Sequence, residues 1–146
     1  VMAVVHSHSP SIIPFGITRT KLRPVYHMAS FLWSGAPVFE IRKTKPRNDL
    51  LIRDRPLGEA LAKSLGGCNC VLMRGHGMTV VGDCVAEAVF RSIYTEMNAR
   101  LQTQAMGLEG PIEFLSDEEG RRSQASNRGT LERPWELWKK EALSRR

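Results

Sequence analysis

The chain begins on an unbroken apolar run, VMAVV at residues 1–5, which predicts a strand buried on both faces. Three further runs, APVFEI at 36–41, CVLM at 70–73 and MTVV at 78–81, read as strands as well. Elsewhere the apolar positions recur with helical spacing. Pro10, Pro14 and Gly16 break the chain after the first strand, and Pro24 can open a helix. Val25, Met28, Ala29 and Leu32 follow it at i, i+3, i+4 and i+7, and Gly35 ends the pattern. Asp54 caps the next helix, with Pro56 near its first turn, a stripe of Leu57, Leu61 and Leu65, and Gly66-Gly67 at its close. A long helix over 84–106 carries the stripe Val85, Val89, Ile93, Met97 and Leu101, which is predicted to face the core. Ser116 and Glu119 form a capping box, and PWELWKKEAL from Pro134 puts Trp135 and Trp138 on one side of a last helix.

This alternation predicts an α/β fold, a three-layer α/β/α arrangement around a central mixed sheet. With no repeat, low-complexity block or linker, residues 1–146 read as one domain. Parallel buried strands are expected to need helices on both faces. Four strands make an incomplete sheet, and Val1 is a poor place to start a core strand. An N-terminal portion is therefore expected ahead of it.

Composition changes this picture little. Apolar residues make up 42% and charged residues 25% of the chain, as in ordinary globular proteins. No apolar run is long enough to span a bilayer, and nothing resembles a signal peptide. Cys68, Cys70 and Cys84 are too few for a disulfide framework, which points to a reducing cytoplasm. Cys68 and Cys70 have no second thiol pair nearby, so they read as small buried residues rather than zinc ligands. The net charge of +6 raises nucleic acid as a partner. The basic groups, RKTKPR at 42–47 with Arg53 and Arg55, and Lys139, Lys140, Arg145 and Arg146, lack interleaved aromatics. They read as solvated surface, with attraction of a small anionic substrate as the alternative, and no nucleic-acid or membrane partner is expected.

The candidate chemistry lies in three histidines. His6 and His8 are two apart on a strand end, so both imidazoles project from one face, with Cα atoms about 7 Å apart. Alone, this pair fits a metal site or two satisfied polar side chains equally well. His76 lies in MRGHGMTVVG, between Gly75 and Gly77 in a connection too small to need a histidine for folding. Together the three make an N3 donor set typical of a catalytic divalent cation with one position open. Zn2+ suits imidazole best, with Mn2+, Co2+ and Fe2+ as alternatives.

HSHSP, followed 68 residues after His8 by VLMRGHGMTVVG and a long helix, resembles the class II aldolase/adducin family. The resemblance implies a class II aldolase-like fold with His6, His8 and His76 as metal ligands. It covers nearly all of this chain but only the latter part of a family domain. Family members carry an anion-binding loop and a catalytic glutamate ahead of the H-x-H pair, and only five residues precede His6 here. Adducin-type members lose the metal ligands, whereas this chain keeps all three. HSHSPSIIPFGI, LRPVYHMASFL, RGHG and RPWELW are more similar to the decarboxylase branch than to the sugar-phosphate aldolases. That implies a divalent-metal lyase acting on a hydroxylated aromatic or heteroaromatic carboxylate, in a homotetramer with active sites between subunits. A fuculose-phosphate-type aldolase and a non-catalytic adducin-like scaffold remain as alternatives.

Such chemistry also needs a proton donor and a partner for the carboxylate. His27 is a candidate proton shuttle, or a surface histidine off the apolar stripe. Tyr26 and Tyr94 are candidate acids, or packed residues with satisfied hydroxyls. Arg74 can pair with a carboxylate near the metal or form a structural ion pair. Arg133 and Trp135 can form a lid over an aromatic acid or simply dock the last helix.

Overall fold

The computed structural model describes residues 1–144, so Arg145 and Arg146 of the C-terminal basic group lie outside the described residues. Strand β1 (Ala3–Ser7) leads through a 3-10 turn (Pro10–Ile12) into a short helix α1 (Ile13–Ile17). An extended segment and a 3-10 stretch (His27–Ser34) reach β2 (Val38–Phe39), and helix α2 (Arg55–Leu65) returns the chain to β3 (Cys70–Met73). Strand β4 (Gly77–Gly82) and the helices α3 (Val85–Met106), α4 (Asp117–Gly129) and α5 (Glu132–Ser144) complete it. The sheet order is β1-β4-β3-β2, with β2 parallel to β3 and the other two pairings antiparallel.

Strand β3 shows why the fold has three layers. All four of its residues are buried, and successive side chains point to opposite faces. Cys70 and Leu72 join one core with Ile12, Phe15, Leu32, Phe90 and Ala99. Val71 joins another with Phe39, Ile41 and Leu57 beneath α2. Helices therefore cover both faces of a mixed sheet, as the alternation of elements predicts.

The local signals act as read. Asp54 Oδ1 accepts from the Leu57 amide at 3.0 Å, Gly35 takes φ 98° at the end of the 3-10 stretch, and Ser116 and Glu119 close a capping box. The strand APVFEI shortens to two paired residues, because Glu40 instead accepts from the Arg42 amide and turns the chain. The segment after Pro24 is a kinked 3-10 stretch starting at His27 rather than an α-helix.

Two expectations are overturned. Strand β1 is not buried on both faces: Ala3 is buried but Val4 is 61% exposed, and among the described residues β1 is an edge strand paired with β4 alone, antiparallel. The stripe of α3 is misplaced too. Val85, Met97 and Leu101 are 59%, 38% and 39% exposed, and the buried face is instead Ala88, Phe90, Arg91, Thr95, Asn98, Ala99 and Gln102. The reason is the segment 21–25, which belongs to no strand or helix. Asn98 accepts from the Val25 amide and donates to the Arg23 carbonyl. Gln102 accepts from the Arg23 amide and donates to the Lys21 carbonyl. These carboxamides supply the partners that a neighbouring strand would supply, and buried backbone groups require them.

A buried ion pair anchors the start of α3. Arg91 donates to Glu87 at 2.8 Å and to the Val81 carbonyl at 2.5 Å. Glu87 reaches back to the Asp83 amide at 2.7 Å, supplying the cap that Cys84 does not. This network ties α3 to the end of β4.

Candidate metal centre

The three histidines come from the end of β1 and from the neighbouring β3–β4 turn. His6 lies on β1 opposite Thr79 of β4, His8 just past the strand end, and His76 in the turn that joins β3 to β4. That turn is tight. Met73 pairs with Gly77, the His76 amide donates to the Met73 carbonyl at 3.0 Å, and Gly75 takes φ 65°.

Gly77 allows the close approach. A Cβ placed there would collide with the Ser7 carbonyl oxygen and lie 3.1 Å from the His8 Cα. Only a residue without a side chain lets β1 press this tightly against the turn, and that contact brings His8 beside His76.

The imidazoles form a near-equilateral triangle, with ring centroids 4.8 to 4.9 Å apart. His8 Nε2 lies 3.1 Å from His6 Nε2 and 3.0 Å from His76 Nε2. One ligand atom from each ring lies within 4.8 Å of the others. Zinc–imidazole bonds of about 2.0–2.1 Å place two tetrahedral ligand atoms ~3.4 Å apart. The donor set therefore fits one cation after small adjustments.

The protonation pattern agrees. His6 Nδ1 lies 2.9 Å from the Met78 carbonyl and donates its proton there, which leaves Nε2 as a lone-pair donor. Burial, and then the neighbouring His6 and His8 rings, lower the pKa of the His76 imidazole and so favour its neutral form. Three nitrogens that cannot all carry protons at this spacing form a site that a cation satisfies.

The other candidates are placed elsewhere. Arg74 Nε lies 2.8 Å from Glu40 Oε2, an ion pair whose alignment falls short of a hydrogen bond. Glu40 also binds Arg42 at 2.6 Å. Chiefly through the Arg42 hydrogen bond, with Arg74 contributing, its carboxyl is held down to about 2. Of the two readings of Arg74, this geometry is the structural ion pair. His27 is exposed, its carbonyl accepts from Asn127, and its ring meets Tyr26 edge-on. Tyr94 packs among Tyr26, Phe90 and Trp138. The Tyr26 hydroxyl is buried without a partner, and burial raises its pKa. Arg133 is exposed on α5, and Trp135 lies beneath Lys139. No hydrogen bond, ion pair or ring contact among the described residues joins any of these side chains to the three histidines. A cavity of about 490 Å³, lined by Phe15, Leu22, Trp33, Cys68 and Leu72 among others, also excludes the triad.

Three residues besides the histidines shape the site. The Met78 carbonyl orients His6, Gly77 admits β1, and Leu50 packs beside the turn, 3.9 Å from where a Gly75 Cβ would stand. The glycines flanking His76 signal the second of these. The Asn48-Asp49 pair before Leu50 is a turn signal that marks the third.

Residues 1–103 match the class II aldolase and adducin N-terminal domain, and the chain belongs to that family. It is 38% identical, across 97% of its length, to the decarboxylase tropJ of Talaromyces stipitatus, of which it covers 61%. It is 29% identical to the 3,4-dihydroxyphthalate decarboxylase of Rhodococcus jostii, covering 80% of this chain and 47% of that one. Its fold matches that of L-fuculose 1-phosphate aldolase with a TM-score of 0.67 at 19% identity, over 86% of this chain and 55% of that one. The chain thus spans about half to three-fifths of the length of these proteins.

Proposed function

We propose that this chain provides the metal centre of a carbon–carbon lyase that decarboxylates a hydroxylated aromatic or heteroaromatic carboxylate. The observation that carries this reading is the convergence of three imidazole Nε2 atoms in a chain 38% identical to a decarboxylase. The cation is one divalent ion held by His6, His8 and His76, with Zn2+ favoured by the all-nitrogen set. Bound there, it would act as a Lewis acid towards substrate oxygens and stabilise the charge left when CO2 departs.

The chain's own residues prepare this site. His6 keeps its proton on Nδ1, towards Met78, and offers Nε2. Burial favours the neutral form of His76. His6 and His8 are exposed, which leaves one side of the triad open to a small anionic substrate. Arg74 is occupied by Glu40, and Tyr94 and His27 belong to the aromatic cluster with Tyr26. We therefore propose that a neighbouring subunit supplies the proton donor, in a homotetramer with active sites at its interfaces. Three free cysteines suit a reducing cytoplasm.

The test is an assay of the complete protein for CO2 release from hydroxyaryl carboxylates and for aldehyde release from ketose or aldonate phosphates. CO2 release without aldol cleavage is expected. Aldehyde release without CO2 would replace this reading with an aldolase, and neither product would leave a scaffold.

A further inference from the structure

We infer that Leu50 is a positioning residue for the metal centre, its backbone carbonyl serving as the acceptor that orients His76 through Nδ1–H. The inference rests on the reading of the triad as a metal site.

His76 Nδ1 is buried and has no hydrogen-bond partner. A histidine that ligates through Nε2 carries its proton on Nδ1, and that N–H needs an acceptor to fix the ring. His6 has one in the Met78 carbonyl. For His76 the neighbouring backbone is that of Leu50, whose side chain lies 3.9 Å from where a Gly75 Cβ would stand, one residue before the ring, and whose carbonyl approaches Nδ1 short of full hydrogen-bond geometry.

The conformation of Leu50 is the second observation. Among the described residues it is the one non-glycine in the left-handed region, with φ 67°. Leucine does not choose this backbone, so neighbours must impose it, and such strain clusters at functional sites. Asn48 Oδ1 accepts from the Leu50 amide at 3.0 Å, and Asp49 Oδ1 accepts from the Leu51 amide at 3.2 Å. Asn48 is tied back to the Lys45 carbonyl at 2.7 Å, and Arg53 holds Asp49 at 2.7 Å. The Leu50 side chain packs against the cluster of Phe39, Ile41, Leu57 and Val71. Both sides of the residue are thus clamped, and the backbone between them faces the imidazole. Drawing the three Nε2 atoms onto one cation would seat the His76 ring and complete the bond.

Backbone conformation and side-chain packing predict opposite orders of tolerance, which makes the inference testable. Asparagine enters the left-handed region readily, whereas a β-branched residue resists it. Zn2+ affinity is measured on the complete protein by competition with a chromophoric chelator, with circular dichroism as the check on folding. Leu50→Asn is expected to bind Zn2+ within about threefold of wild type, and Leu50→Val about 10–100-fold more weakly, the range for losing the support of a ligand. Asn48→Ala, which frees the Leu50 amide without touching the core, is expected to weaken binding by about tenfold. Equal affinities, or Leu50→Val binding more tightly than Leu50→Asn, would overturn the inference and make Leu50 a packing residue. Should Leu50→Val fail to fold, Asn48→Ala at wild-type affinity overturns it. Absence of Zn2+ binding by the wild type would instead remove the metal-centre reading itself.

Discussion

Gly77→Ala perturbs the contact on which the site depends. The new Cβ would collide with the Ser7 carbonyl oxygen and lie 3.0 Å from the Ser7 carbonyl carbon and 3.1 Å from the His8 Cα. Ordinary carbon contacts need about 3.5–4.0 Å, so β1 must retreat by ~0.5 Å or more. All three close atoms belong to the backbone, which has no rotamer to yield. Overpacking of this kind costs about 1–3 kcal/mol, or a fall in unfolding midpoint of roughly 2–4 °C per kcal/mol for a chain of this size. The effect on the site is larger. Ligand distances must hold to within about 0.2 Å, and the retreat carries His8 away from His76. Zn2+ affinity should fall about 100-fold, equivalent to ~2.8 kcal/mol. Thermal unfolding of the metal-free protein and chelator competition measure the two effects separately. A Gly77→Ala protein that unfolds like wild type and binds Zn2+ within about threefold would refute the seating of β1 against the turn.

Two further perturbations test the frame around the site. Arg91→Met leaves Glu87 buried with only the Asp83 amide and Arg128 as partners, so it should cost about 3 kcal/mol in urea unfolding. Adding Glu87→Gln should recover part of that loss, because the uncompensated charge is then gone. Glu40→Gln tests the ion pair that occupies Arg74. Because the Glu40 carboxyl is held down to about 2 from the ordinary 4.5, its stabilisation is present above pH 4.5 and is lost as the pH falls towards 2. Wild type should therefore exceed the variant in stability at neutral pH, and the gap should close over that window. A gap independent of pH would mean that Glu40 acts by packing alone.

What the sequence revealed depended on how local the signal was. The CVLM strand, the Asp54 cap, the Ser116–Glu119 box and the close of the 3-10 stretch at Gly35 were legible because each is decided within a few residues. The H-x-H pair and the H-G histidine were legible as candidate ligands because side chains two apart on a strand share a face. Other features required contacts distant in sequence. The outward turn of Val85, Met97 and Leu101 follows from Asn98 and Gln102 pairing with residues 21–25, more than 70 positions away. Helical periodicity carries no information about such a partner. Likewise the role of Gly77 depends on Ser7, and the strain at Leu50 on the turn around it. Arg74 sits beside the motif in sequence, yet Glu40 claims its side chain.

The proposed function requires His6, His8 and His76 to hold one divalent cation together. Metal content of the purified complete protein, compared with that of its His76→Ala variant, tests this most directly. About one ion per chain is expected in the wild type, with its loss in the variant while the fold stays intact by circular dichroism. A wild type that carries no ion after exposure to Zn2+, or a variant that keeps its full complement, would contradict it.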